Sequence, residues 1–192
     1  MRLFWKGKLT KDKGFPQVEM PEDALAFLGE RPSSYLVEII GVLILGIIIF
    51  KAKQRLIPGL RIKPNGLWLG MGLAILFLFV HELIHGLACP KACSVNYYYS
   101  IYGITAYPLS SMTRNRYIFV ALAPATILGL LPMIIWFVLP VELIELNSII
   151  FPFSWISLST SVADIHNARR ALKLPRDSMI QASGRKVYWY KD

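Results

Sequence analysis

Cysteine, histidine and acidic residues are all scarce in this chain. Two cysteines in 192 residues cannot build a disulfide framework. Twelve acidic residues face 21 basic ones, a net charge of +9, yet no folded basic domain or recognition motif accompanies that charge, which excludes a nucleic-acid partner. The first thirty residues lack the early apolar core of a cleaved signal peptide. No internal repeat and no low-complexity tract is present. With only three histidines, the spacing of two of them carries unusual weight.

What the chain has in abundance is apolar length. Hydrophobic residues make up 55% of it, above the range of ordinary soluble domains. Four runs approach the roughly 17–25 residues that cross a bilayer: 35–50, 66–89, 117–139 and 146–165. The first is short and contains Glu38, and the fourth carries Asn147, Pro152 and Asp164. The expected fold is mainly α, a polytopic membrane protein of about four transmembrane helices. In this reading 1–34 is a polar or amphipathic lead, 35–172 a membrane-embedded domain and 173–192 a basic tail. The larger positive set falls on the lead, the loop after the second run and the tail, which places both termini in the cytoplasm of a cell membrane. Lys51, Lys53, Arg55, Arg61 and Lys63 stand against that orientation. In either orientation the basic residues suit contact with anionic lipid.

Local signals fill in the rest. Pro16, Pro21 and Pro32 break the lead, and the acidic residues after Pro21 suit the start of a short interfacial helix. Residues 51–65 read as a basic loop. Val95-Asn-Tyr-Tyr-Tyr-Ser-Ile and Ile104-Thr-Ala-Tyr, around a turn at Tyr102-Gly103, predict a small β-hairpin after the second run. Pro124, Gly129 and Pro132 kink or loosen the third run.

The second run contains His81-Glu82-Leu83-Ile84-His85. Histidines four apart share one face of a helix, so both rings reach one metal ion. Glu82 beside them is placed to take a proton from water activated by that metal. Ionisable residues within a span are costly and default to a function. A catalytic zinc site takes three protein ligands. Residue 91, where a third histidine of the long single-helix motif would stand, is lysine. Cys89 lies eight residues from His81, about 12 Å along the axis, too far for one ion on a straight helix, and reads as a packing thiol. Glu142 and Glu145 fall at the opposite membrane face. Asp164 falls at the same depth as the histidines and is the candidate third ligand; His166, two residues on, points from another face.

His81-Glu-Leu-Ile-His85-Gly86 in a span, the β-rich loop, Leu122-Ala-Pro124 in a later span and the late Asp164 resemble the zincin-type membrane peptidases grouped as a bacterial domain of unknown function. More distantly they resemble the site-2 intramembrane zinc metalloproteases. The resemblance covers residues 66–172. It implies zinc, peptide hydrolysis, a membrane protein or peptide substrate and a bacterial cell membrane. By analogy with the site-2 proteases, whose third ligand is an aspartate in a Leu-Asp-Gly setting, it points to Asp164, which here sits in Val162-Ala163-Asp164-Ile165. The hairpin either covers the mouth of the site or pairs its edge with an extended substrate. The competing readings are an inactive metal-binding scaffold and a small transporter. Glu82 speaks against the scaffold, which needs no base. The confinement of polar residues to one depth speaks against the transporter.

Overall fold

The computed structural model describes residues 2–9, 14–28, 35–100 and 103–191. Two units alternate along the chain: one comprises 1–32, 79–123 and 166–192, the other 33–78 and 124–165.

The second of these is helical: α1 (Leu36–Leu56), α2 (Pro64–Leu76), a π-helical stretch Ala125–Leu130 leading into α5 (Leu131–Val138), and α6 (Ile144–Thr160). Proline at the first position of α2 is pre-set for helix and gives up an N–H that has no intrahelical partner anyway. Gly66, Gly70 and Ala74 are buried on one stripe of α2. A Cβ on Gly66 would stand 2.3 Å from Ser148 Cβ, and one on Gly70 2.3 Å from the Ile149 carbonyl oxygen. Small residues four apart let α6 lie directly on the α2 backbone, and that close approach gains dispersion contacts along the stripe. Val42, Met133, Trp136, Phe151 and Leu158 form the core. Lys53 is fully buried. Its Nζ donates to the carbonyls of Trp136 and Leu139 and to Asn147 Oδ1, so a cation caps the carbonyl end of α5, where the helix dipole favours it.

The other unit holds two small sheets. β1 (Arg2–Lys8), β3 (Ser94–Ser100) and β4 (Gly103–Pro108) form one in that order. β1 runs parallel to β3, and β3 pairs antiparallel with β4 from Val95↔Pro108 to Ser100↔Gly103. The second sheet has the order β2-β7-β6-β5, with β2 (Leu25–Leu28), β5 (Met112–Thr113), β6 (Ser178–Ser183) and β7 (Lys186–Lys191). α3 (Leu78–Ala88) and α4 (Arg114–Pro124) complete the unit, together with the later turns of α7 (Val162–Ala171). Ala88, Cys89, Cys93, Val95, Tyr97, Met112 and Val120 pack as one core, and Phe27, Ala171 and Ile180 as another. Arg170 donates to the Phe27 carbonyl at 2.8 Å and ties α7 to β2.

The expected hairpin after the motif helix is present, with part of its turn outside the described residues, as is Pro32. Other expectations need correction. The segment after Pro21 forms a turn and then strand β2, because Leu25 and Ala26 pair with Trp189 and Tyr188 of β7 and that sheet partner outweighs the local helix-start signal. Residues 51–56 are the last turns of α1, where the buried Lys53 finds its carbonyl partners. By length and composition one helix, Arg114–Val138, can cross a membrane, and three can if the bent pairs Pro64–Leu76 with Leu78–Ala88 and Ile144–Thr160 with Val162–Ala171 each count as one span. α1 is 21 residues long but carries Glu38, Lys51, Lys53 and Arg55.

Candidate metal centre

α3 presents the motif. His81 is buried, and Glu82 and His85 are half-buried. One helical turn brings the two rings edge to face, with Nε2 of His81 3.2 Å from Nε2 of His85. Two nitrogens bound to one tetrahedral zinc at the usual bond lengths stand roughly 3.3 Å apart. The pair is therefore spaced as ligands of a common ion. His85 Nδ1 lies 2.9 Å from the Val120 carbonyl oxygen of α4. A carbonyl only accepts, so Nδ1 carries the proton and Nε2 keeps its lone pair for a metal.

Glu82 is held from the other side. Its Oε2 accepts a hydrogen bond of 2.7 Å from the backbone N–H of Ala106 in β4. In the β3–β4 register Ser100 and Gly103 flank the turn and Ala106 lies opposite Tyr97. Alternate residues of β4 turn their amides away from β3, and Ala106 is one of these. The hairpin thus spends an edge amide on fixing the carboxylate.

Gly86, directly after His85, is where the same hairpin reaches the helix. A Cβ there would stand 1.8 Å from Tyr97 Oη, so only glycine lets the tyrosine lie against α3. Tyr97 is buried, and its hydroxyl has no hydrogen-bond partner among the described residues. Burial, with smaller contributions from Cys89 and Glu82, pushes its phenol up to about 12.

Asp164, the third ligand expected from the sequence, is half-buried in the first turn of α7; two imidazoles and a carboxylate are a donor set of catalytic zinc sites. Cys89 is a buried thiol in the core of α3 and the sheet, beside Cys93. The hydrogen bond between the two thiols draws Cys93 down to about 6. Glu145 is engaged by Lys63, and Glu38 is buried in α1.

Sequence reasoning missed Ala106 and Val120, which act through the main chain and so leave no side-chain signal. It also missed the link between Gly86 and Tyr97, although a glycine directly after the second histidine was a visible cue. No curated protein and no solved structure matches the chain. The family described as "Putative zincin peptidase" matches residues 74–179, from the end of α2 through the start of β6. With more than half of its length so matched, and the histidine pair and Asp164 all inside the matched segment, the chain belongs to that family.

Proposed function

We propose that this protein is a zinc-dependent peptidase embedded in the membrane, cutting membrane proteins or peptides in or near the bilayer. The single observation that carries the reading is the 3.2 Å approach of two imidazole nitrogens on one helical turn. His81, His85 and Asp164 would hold the ion. Bound there, zinc supplies Lewis acidity toward water and toward a scissile carbonyl. Glu82 takes the water proton and delivers it to the leaving amine. The Ala106 amide anchors Oε2 of Glu82 and so fixes the carboxylate beside the two histidines. The Val120 carbonyl fixes the tautomer of His85. In this reading α1 is a fourth span beside the one to three given by length and composition, and both termini lie in the cytoplasm.

The test is a panel of wild type, Glu82→Gln, His85→Ala and Asp164→Ala purified in detergent. Bound zinc is measured by mass spectrometry and cleavage with a library of membrane peptides. Wild type binds one zinc and cleaves; His85→Ala and Asp164→Ala lose the metal. A wild type that holds zinc but cleaves nothing in the library would leave the scaffold reading standing and overturn the enzyme.

A further inference from the structure

α1, α2, α6 and the segment before α2 line an open groove of about 440 Å³, bounded by Ile47, Phe50, Ile62, Leu67, Phe151 and Trp155, with Lys51 as its charged member. Its volume lies within the range of small-molecule sites, roughly 300–1,000 Å³. Phe151 sits at the centre of the aromatic wall, 5.1 Å from Phe50 and 5.5 Å from Trp155, ring centre to ring centre. Trp155 donates its indole N–H to the Val42 carbonyl at 3.1 Å, so its one polar atom is spent on α1 and only its ring is left for a ligand. An apolar slot of this kind takes a hydrocarbon chain and offers nothing to a polar one.

The rim has the opposite character. Lys51 is exposed, and its ammonium bonds the neutral amide of Gln54 at 3.3 Å, so its charge is not cancelled there. Arg55 stands one turn further along α1, and Arg61 precedes the lining residue Ile62. The remaining neighbour, Lys63, is taken by Glu145. Ile47 and Lys51 are four apart on α1, which lays apolar wall and cationic rim along one helix face. Basic rims over apolar slots between helices recognise acidic lipid headgroups.

We infer that this groove is a binding site for one anionic phospholipid, an acyl chain lying against Phe50, Phe151 and Trp155 and the phosphate against Lys51. The inference rests on the bilayer reading above and is independent of the metal centre. It is tested with the full chain in liposomes, with brominated phosphatidylglycerol or brominated phosphatidylcholine as a minor component of a phosphatidylcholine bilayer. Bromine quenches tryptophan on contact. The expected result is quenching at least about twofold greater by the anionic lipid. That excess is lost in Trp155→Phe, which removes the reporter, and in Lys51→Ala, which removes the charge and leaves the wall intact. Flotation with the liposomes is read in parallel. A chain that floats but is quenched equally by both lipids, or whose excess survives Lys51→Ala, overturns this inference alone and marks the groove as bulk-lipid surface or the seat of another occupant. A chain that does not float overturns it together with the bilayer reading. Hydrolysis in Lys51→Ala stays at the wild-type level in phosphatidylcholine.

Discussion

Glu82 and Ala106 are joined by a 2.7 Å hydrogen bond from a strand amide to a helix carboxylate, which ties the hairpin to the motif helix. Glutamine at position 82 keeps an oxygen acceptor for that amide and loses the basicity. Glu82→Gln is therefore expected to bind zinc as wild type does, keep its melting temperature within a degree or two, and lose about 10²–10⁴-fold in turnover, the usual range for a general base. Zinc content and cleavage rate on the same preparation check it.

Asp164 offers the candidate carboxylate ligand from a helix other than the one bearing the histidines. In the proposed centre, removing it would leave two imidazoles to hold the ion, with much lower affinity. Asp164→Ala is expected to lose zinc to a chelator at concentrations that wild type withstands, while Lys63→Ala, which removes only an exposed ion pair, does not. Full zinc occupancy in Asp164→Ala under chelator would take that residue out of the centre.

Gly86 meets Tyr97 at a distance that admits no side chain. Gly86→Ala is expected to cost ~1–3 kcal/mol, the usual penalty of overpacking, seen as a lower melting temperature in detergent. Tyr97→Phe removes a buried hydroxyl without a partner among the described residues and is expected to be neutral or slightly stabilising. The double variant recovers part of the loss, because the 1.8 Å contact goes while the ring carbon Cζ, at 2.9 Å, remains. Strict additivity would show that the two residues do not meet.

Cys93 titrates early because the Cys89 thiol hydrogen-bonds its thiolate, which brings it to about 6, against about 8.5 for a free cysteine. A depressed pKa means that folding favours the ionised form. The contribution is complete above the unfolded value and is lost as pH falls through 6. Thiolate absorbance near 240 nm is expected to rise with a midpoint close to 6 in wild type and to shift upward by at least one unit in Cys89→Ala. Unchanged midpoints would remove the thiol pair.

The parts of the molecule legible in the residues were those specified locally. The motif helix followed from its apolar run, and the hairpin from β-branched and aromatic residues on either side of a glycine. The close approach of His81 and His85 followed from their four-residue spacing on that helix. Other elements depend on partners far away in the chain. β1 pairs in parallel with β3 some ninety residues on, and a parallel pairing leaves no turn signature. β6 and β7 did leave one, Ser183-Gly184 between β-forming stretches, but their charges read more simply as a tail. The Gly66-Gly70-Ala74 period was visible too. Its meaning emerged only with α6 lying on it. Lys53 looked like a loop cation because the carbonyls that solvate it come from 136 and 139.

β4 is an edge strand of its sheet, and the bond to Glu82 affects how that edge meets other chains. The residues whose amides face outward are 104, 106 and 108 by the register of the hairpin. Ala106 is engaged by Glu82, and Pro108 has no N–H to give. Only Ile104 is left with an outward donor, too little for another strand to zip along. The grip on the carboxylate therefore also guards this border against self-association, and a glutamate that let go of the amide would expose a template for it.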